Sequence, residues 1–496
     1  MSRTPFQLNA VAQRLRDAQL LLETRGPLDI QVTGVSQDSR TVRPGDLFLA
    51  WRGVDHDAHD FLDQVASSGA VAAVVEDFDQ GVEISQLRVS NGRLAGALAA
   101  DEAAASPWRS LFLAGVTGTN GKTTTAVLAR YLLETRGPAG ALGTLGLMEP
   151  MGRVRPDTEG LTTPGPVQIA AWTRSLVDAG AVSMVLEASS HALAQYRLDG
   201  LRFDAAVFTN LGRDHMDYHP DLAAYRDAKL RLLDLLKPRG WAVVNADVRA
   251  WSDADLPEGR TLTVGLDNPA DLRATEIHLH PGGSRFRLSA GGDEAEVNLP
   301  LLGRFNVENA LVAAGVARVK GMTVAEIAAG LSSAPQVPGR LQVVVSDPFT
   351  VLIDFAHTPD ALERVLSTLR PLVRGRLMVL FGAGGDRDRG KRAPMGRAVA
   401  KMADLSFVTS DNPRTEDPER IIDDVLEGMG SADHRTITDR REAIHQAVKE
   451  ARAGDLLLLA GKGHESYQVL GEEKHDFDEA GMVLESLGVL KGRGAS

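Results

Sequence analysis

The sequence predicts an α/β protein of three domains built on largely parallel sheets, and three observations carry that expectation. Short apolar runs alternate with amphipathic stretches along the whole chain: GAVAAVVED, SLFLAG, VSMVLEASS, FDAAVFTN, VLIDFAH, LMVLFGAGG and DLLLLAGKG read as buried strands, with stretches such as PVQIAAWTRSLVDAG as the helices between them. Strands that alternate with helices favour parallel sheets covered on their faces. The 496 residues suffice for three domains at about 100–200 residues each. The linker-like stretches DEAAASPWRS and APQVPGRLQ then divide the chain into 1–105, 106–337 and 338–496.

Composition removes several function classes. The chain is 43% hydrophobic, and none of its apolar runs approaches the ~20 residues of a membrane span. The start MSRTPFQLNAVAQRL lacks the apolar core of a secretion signal, so the cytoplasm is the expected compartment. Without a single cysteine there are no disulfides, thiolate nucleophiles or zinc–sulfur sites. A net charge of −12 argues against a broad nucleic-acid surface but leaves room for local basic pockets.

In chain order, Leu8, Val11 and Leu15 mark an amphipathic first helix, and Gly34, Pro44 and Gly45 punctuate the following segment into short strands. RLAGALAADEAAA reads as the closing helix of this first domain. Ser39 and Arg40, between two of its strands, suit a turn or a phosphate or sugar hydroxyl. The second domain opens with SLFLAGVTGTNGKTTTAVLARYLLE. A strand ends near Ala114, a glycine turn spans Gly115 to Gly121, and a helix starts near Lys122. This is a P-loop: backbone N–H groups and a helix N-terminus cradle a polyphosphate, Lys122 reaches its terminal groups, and the Thr123 hydroxyl suits Mg²⁺. Val116 stands where the usual spacing has its first glycine, so the loop is a variant.

Glu187 closes the strand SMVLE, with Ser189, Ser190 and His191 behind it at the same mouth. TNLGRDHMDYHPDLAAYRDAK gathers Asp214, His215, Asp217 and His219 in one loop, then a helix from near Asp221 that carries Lys229 two turns in. Such a loop either helps hold a divalent cation or is simply solvated. Between 260 and 300, TLTVG, ATEIHLH, SRFRLSA and EAEVNLP read as a small antiparallel insert, and GRFNVENALVAAGVARV returns to helix. In the last domain, polar residues follow four apolar strands, the arrangement that forms a ligand crevice in open α/β sheets. GAGGDRDRGKR fails the spacing of a dinucleotide loop. Its Arg387, Arg389, Lys391 and Arg392, with Arg414 and Glu465, instead suit a zwitterionic amino acid. The tail KGRGAS is expected to fray.

Together these stretches resemble the Mur ligase family of peptidoglycan synthesis over essentially the whole chain. GVTGTNGKTTT, LTTPGP, LEASSHALAQYRL, TNLGRDHMDYH, AYRDAK, GRFNVENALVAA, VPGRLQ, DFAHTPDAL, FGAGGDRDRGKR, DNPRTEDP and AGKGHESYQ occur in the family's order. The resemblance implies a smaller N-terminal α/β domain for a UDP-sugar, a central P-loop ATPase with a mostly parallel sheet, and a C-terminal Rossmann-like domain. It places ATP on Gly118, Thr119, Asn120, Gly121, Lys122, Thr123 and Thr124, with Asn309 and Arg340 as further nucleotide contacts. It assigns Ser39, Thr162, Thr163, Ser189, Gln195 and Arg197 to a UDP-muramoyl dipeptide, UDP-N-acetylmuramoyl-L-alanyl-D-glutamate. Thr123, Glu187, His215 and Lys229 become ligands or supports for Mg²⁺, two ions in all, with Lys229 carbamylated by CO₂. Lys122, His215 and Lys229 are then the catalytic set.

Arg387, Asp411, Asn412, Pro413, Arg414, Gly461 and Glu465 match the family's amino-acid pocket. DNPR resembles the version of that pocket that takes meso-diaminopimelate, with L-lysine or L-ornithine as the alternatives. Leu161, before the Thr162–Thr163 pair, stands where some relatives have a polar asparagine. The implied reaction is ATP-dependent amide formation through an acyl phosphate, with closure of the C-terminal domain bringing in the amine, by a monomer that needs neither nucleic acid nor a membrane span. A folylpolyglutamate-synthetase-like ligase shares the P-loop and the lysine helix but not the DSR…PGDLF segment or DNPR. A P-loop motor is disfavoured by the acidic composition.

Overall fold

A computed structural model describes residues 5–53, 56–280 and 282–488; the tail KGRGAS lies outside them. The described residues pack as two compact units, one within 5–273, 289–293 and 308–330, the other within 274–288, 294–307 and 331–488. Among the described residues no helix is long and apolar enough to cross a membrane.

The first unit begins with α1 (Leu8–Asp17), which buries Leu8, Val11, Ala12 and Leu15. A five-stranded sheet follows, formed by β1 (Leu21–Arg25), β2 (Gly34–Ser36), β3 (Asp46–Leu49), β4 (Ala72–Val75) and β5 (Ser85–Val89) in the order β1-β5-β4-β3-β2. All pairs are parallel except β1 with β5. The helix α2 (Gly92–Ala103), capped by the Asn91 side chain, lays Ala95, Leu98 and Ala99 into the core that α1 also fills.

The larger sheet uses β6 (Phe112–Thr117), β7 (Ala139–Gly143), β8 (Gly146–Met148), β9 (Ser183–Glu187), β10 (Phe203–Phe208), β11 (Leu236–Asn245), β12 (Thr261–Gly265), β13 (Leu272–His280), β14 (Gly283–Ala290) and β15 (Asp293–Leu299). Its order is β8-β7-β9-β6-β10-β11-β12-β13-β14-β15. The strands β7, β9, β6, β10, β11 and β12 are parallel to their neighbours in that run. Around them run α3 (Lys122–Glu134), α4 (Pro166–Asp178), α5 (Ser190–Ala194) and α6 (Leu222–Leu230); α7 (Arg304–Val319) and α8 (Val324–Ser332) come after β15. From β6 the chain goes to one side for β7 and β9, then crosses to the other for β10. The carboxyl ends of β9, β6 and β10 therefore border a topological switch point, where open α/β sheets bind their ligands. Register aligns those ends, with Glu187 opposite Val116 and Phe208 opposite Thr117.

Two expectations need correction here. The glycine turn does not begin at Gly115: β6 runs on through Thr117, and Val116 is a fully buried strand residue laddered to Glu187 and Val207. TLTVG is not part of an antiparallel insert, because β12 pairs in parallel with β11. The 246–260 connection between them is long enough for a same-direction crossover, which a hairpin loop is not.

The second unit contains a six-stranded sheet of β16 (Gln342–Val345), β17 (Thr350–Asp354), β18 (Leu377–Phe381), β19 (Leu405–Val408), β20 (His434–Thr436) and β21 (Leu456–Ala460). The order is β16-β17-β21-β18-β19-β20, parallel except for β16. Every residue of β17, β18, β19 and β21 is buried, as parallel strands covered on both faces require. On one face, Leu352, Val379, Phe381 and Leu458 meet α9 (Pro359–Leu369), α10 (Arg392–Ala400) and α11 (Pro418–Leu426). On the other, Ile353, Leu380, Phe407 and Leu459 meet α12 (Arg440–Glu450), which follows β20, and the terminal helix Glu479–Ser486. The hairpin β22 (Tyr467–Leu470) and β23 (Glu473–Asp476) precedes that terminal helix, α13.

A buried ion pair ties α12 to α13. Arg440 Nε donates to Glu479 Oε1 at 2.8 Å, and Arg440 Nη2 donates to the Ala460 carbonyl at 3.0 Å. Both side chains are essentially inaccessible. Glu479→Ala would leave the guanidinium buried without its counter-charge, so we expect a loss of about 3–5 kcal/mol, read as a lowered thermal or urea midpoint.

Candidate active site

The phosphate loop is Gly118–Gly121, between β6 and α3. Gly118 and Gly121 have φ values of 148° and 84°, and a Cβ on them would collide with Thr209 Oγ1 and Asn309 Oδ1 respectively. Asn309, predicted as a nucleotide contact, therefore packs directly against the loop. Residues after β10 support the loop from the other side. The Asn210 carbonyl and side-chain oxygen accept from Thr119 N at 2.8 Å and Asn120 N at 2.9 Å. Thr209 Oγ1 donates to the Asn120 carbonyl at 2.7 Å, and Gly212 N donates to Thr119 Oγ1 at 2.8 Å. Sequence reasoning missed Asn210; the Thr-Asn pair ending an apolar strand was the available signal.

Two lysines converge on this loop. Lys122 Nζ donates to the carbonyls of Gly118 and Thr119 at 3.0 and 2.9 Å. Lys229 Nζ donates to the same Gly118 carbonyl at 2.8 Å. The Asp221 side chain caps α6 by accepting from Ala224 N, so the helix presents Lys229 from its last turn. Lys229 is 1% exposed, and its ammonium lies 4.2 Å from the Tyr225 ring centroid. Burial, with Lys122 adding like-charge repulsion against the pull of Asp214, brings its pKa down to about 6. At neutral pH the amine is mostly uncharged.

Glu187 sits at the tip of β9 and is buried. Its Oε2 accepts from the Thr123 hydroxyl at 3.0 Å and the Thr144 hydroxyl at 3.2 Å, and its Oε1 accepts from Thr144 N at 2.9 Å. Thr144, also missed from sequence, follows β7 and contacts the Thr162 hydroxyl at 3.2 Å. Thr163 Oγ1 donates to the Glu187 carbonyl at 2.7 Å and accepts from Ser189 N at 3.0 Å. The loop helix, the predicted acid and the Thr162–Thr163 segment thus form one network. A buried carboxylate beside a threonine hydroxyl at a phosphate loop is an oxygen donor set that fits Mg²⁺. No group of three or more His, Asp and Glu among the described residues could hold a metal unaided.

His215, at φ 56°, belongs to a ring cluster. Its centroid lies 4.7 Å from that of His191 and 6.2 Å from that of Tyr225, over which Lys229 sits. His219 Nε2 pairs with Ser190 Oγ at 3.0 Å. Desolvation, reinforced by His215 and His219, lowers the pKa of His191 to about 4, so its ring is neutral at physiological pH.

A cleft in the same unit is lined by Gln37, Trp51, Arg93, Leu161, Gln195 and Arg197. Arg197 is anchored to the Thr163 carbonyl at 2.8 Å and to Gln195 Oε1 at 2.7 Å. Gln195 and Arg197 were expected at a ligand; Gln37, Trp51 and Arg93 were not. Leu161 lines the cleft with its side chain largely exposed. Ser39 is not among the lining residues and opens a single turn, Ser39–Thr41, in which Asp38 holds Arg40. Thr124 is buried in the first turn of α3.

In the second unit, Arg340 stacks over Phe355 with 5.0 Å from Cζ to the ring centroid, and its charge offsets part of the burial that raises the pKa of Asp354. The expected amino-acid residues cluster at the carboxyl ends of β18, β19 and β21. Asn412 Nδ2 donates to Glu465 Oε2 at 2.9 Å, and Arg414 Nη1 donates to the Gly385 carbonyl at 2.7 Å. A Cβ on Gly385 would meet the Pro413 carbonyl, and one on Gly461 would lie 2.5 Å from Asp411 Oδ2. These glycines therefore serve close backbone approach. The basic run divides: Arg392 is committed to Glu416 and Asp424, Arg389 to Glu416, and Lys391 to the His357 carbonyl. Arg387 makes no hydrogen bond or ion pair among the described residues. Arg389, Lys391 and Arg392 thus each have a partner within the protein. The Arg392 hydrogen bonds hold the Glu416 carboxyl at a pKa of about 2.

The descriptions "Mur ligase family, catalytic domain", "Mur ligase middle domain" and "Mur ligase, glutamate ligase domain" match residues 31–102, 116–317 and 339–463. A relative from Gloeobacter violaceus, named UDP-N-acetylmuramoyl-L-alanyl-D-glutamate–2,6-diaminopimelate ligase, is 43% identical over 97% of this chain and 100% of its own. The chain belongs to the Mur ligase family. As a Mur ligase it is an ATP-dependent amide ligase. A Geobacter metallireducens relative of the same name is 42% identical over 95% of this chain and 97% of its own. A solved structure with that name superposes at a TM-score of 0.71, with 34% identity over 98% of this chain and 99% of the other. Within this Mur ligase the middle match spans the phosphate loop, Glu187 and Lys229, and the last match spans Arg387, Asn412 and Arg414 and ends two residues before Glu465.

Proposed function

We propose that this Mur ligase joins meso-diaminopimelate to the D-glutamyl carboxylate of UDP-N-acetylmuramoyl-L-alanyl-D-glutamate with cleavage of ATP. The carrying observation is the pocket of Arg387, Arg414 and Glu465: two guanidiniums and one carboxylate suit a zwitterion that bears an extra carboxylate, which L-lysine and L-ornithine lack. The names of the Gloeobacter and Geobacter relatives support the same substrates. The working division is 1–105 for the UDP-sugar, 106–337 for ATP and 338–496 for the amino acid, in a cytoplasmic monomer.

The chain's own groups account for the steps. Gly118–Thr124 cradle the phosphates, and Lys122 turns from its loop carbonyls to the γ-phosphoryl oxygens, where charge builds in transfer. Thr123 and Glu187, together with His215, would hold Mg²⁺, which when bound would neutralise phosphoryl charge. Lys229, buried and mostly uncharged, is the lysine able to add CO₂; the carbamate would supply an anionic oxygen beside the loop. Arg197 and Arg93 hold anionic parts of the dipeptide. A D-glutamyl carboxylate oxygen attacks the γ-phosphorus and ADP leaves, which gives an acyl phosphate. One amine of the diamino acid, in its neutral form, then attacks the acyl carbon while Glu465 holds the ammonium at the other end; phosphate departs with the C–O bond's electron pair, and the nitrogen releases a proton to solvent. Exclusion of water protects the acyl phosphate from hydrolysis.

Phosphate release measured with each substrate omitted in turn tests this reading. Turnover should require the dipeptide, ATP and a diamino acid together, and in competition meso-diaminopimelate should be consumed ahead of L-lysine and L-ornithine. Release that persists without the dipeptide, or preference for lysine, would overturn it.

A further inference from the structure

One buried cation plays no part in the reading above. Lys462, in the GKGHE loop after β21, is fully inaccessible. Its Nζ donates to Asn412 Oδ1 at 2.9 Å and to the Tyr467 carbonyl at 2.7 Å. It also lies 3.7 Å from Glu465 Oε2 and 4.0 Å from Asp411 Oδ1. A second donor, Val469 N, reaches the same Asn412 Oδ1 at 2.9 Å. Neither an ammonium nor a backbone N–H can accept a hydrogen bond, so only the amide oxygen can occupy that position. Asn412 must then turn its NH₂ to Glu465 Oε2, where it donates at 2.9 Å. The other Glu465 oxygen is left for a ligand's ammonium.

We propose that Lys462 is a positioning residue of the amino-acid pocket: together with the Val469 N–H it fixes the polarity of the Asn412 amide, and its ammonium, 3.7 Å from Glu465 Oε2, holds that carboxylate in place. The β22 strand completes the device. Gln468 Nε2 donates to the Asp411 carbonyl at 2.7 Å, Arg414 N donates to the Val469 carbonyl at 3.2 Å, and Gly471 N donates to the Arg414 carbonyl at 2.9 Å. These bonds hold Arg414 at φ 52°, with its guanidinium on Gly385. Burial and Asp411 push the Glu465 carboxyl toward protonation, and Lys462 with Arg414 and the Asn412 donor oppose that drift. Lys462 thus acts on the diamino acid through two other residues and does not touch it.

The inference rests on the amino-acid pocket proposed above, and the test separates the two. In initial-rate measurements on the full chain, Lys462→Met should raise the KM for meso-diaminopimelate about 10-fold or more, with the KM values for ATP and the UDP-muramoyl dipeptide within about 2-fold. Asn412→Asp keeps the side chain's size but replaces the NH₂ by a second carboxylate oxygen facing Glu465. It should raise the same KM at least as much, and it answers the question if Lys462→Met does not fold. An unmoved diamino-acid KM in either folded variant, or equal rises in all three KM values, overturns the positioning role. A wild-type chain that ligates no diamino acid overturns the proposed function itself.

Discussion

Lys229→Met is expected to remove ligase turnover, by at least about 100-fold, while making the protein more stable at neutral and mildly acidic pH. The two effects have one cause. Unfolded, Lys229 keeps its proton up to its ordinary pKa of 10.5; folded, it loses the proton at about 6. Between those values the unfolded chain binds more protons, so this residue's contribution to stability rises with pH across that window. Its burden on the fold is fully present below about pH 6 and gone above 10.5. Methionine fills the same buried space without that burden, and loses only the hydrogen bond to the Gly118 carbonyl. Thermal midpoints of the two proteins should therefore differ most near pH 6 and converge toward pH 10. A methionine variant that is less stable throughout, or that keeps wild-type turnover, would remove Lys229 from the site. A residue that costs stability where it stands is what a functional constraint leaves behind.

The sequence is most legible where one chemical requirement dictates a run of residues. The phosphate loop, the Asp221-capped lysine helix and the mainly apolar strands β17, β18, β19 and β21 each declare themselves in residue order alone. Errors arise where chain neighbours do not decide. Gly115 looks like loop because it is glycine, yet it is a strand residue whose absent side chain makes room for Phe203. TLTVG has too few residues for its pattern to distinguish a parallel from an antiparallel partner. The GDRDRGKR run promises several ligand-facing cations, but Glu416, downstream of DNPR, takes up Arg389 and Arg392. Thr144, Asn210 and Arg93 escape notice because each is an ordinary polar residue until the fold sets it beside Glu187, the phosphate loop or Arg197.

Glu187→Gln should lower kcat by about 100- to 1,000-fold with little change in folding stability. In the wild type Oε1 receives the Thr144 N–H, a donor whose direction is fixed by the backbone. Oε2 receives the Thr123 and Thr144 hydroxyls, which can rotate. Glutamine can keep its oxygen toward Thr144 N and turn its NH₂ toward the hydroxyls, which then accept. The hydrogen-bond network survives, so the thermal midpoint should move by only a few degrees. What disappears is the negative oxygen next to Thr123 at the start of α3, where a buried carboxylate meets the phosphate loop. The apparent Mg²⁺ requirement should accordingly rise about 10-fold or more, and raising Mg²⁺ should recover part of the lost rate. Glu187→Ala would empty the site and strand Thr144 N, so it would confuse a lost ligand with a lost fold. Glutamine separates them: wild-type kcat and Mg²⁺ dependence in a normally folded variant would make Glu187 only a brace for Thr144, whereas a large kcat loss without destabilisation assigns its charge to phosphoryl transfer.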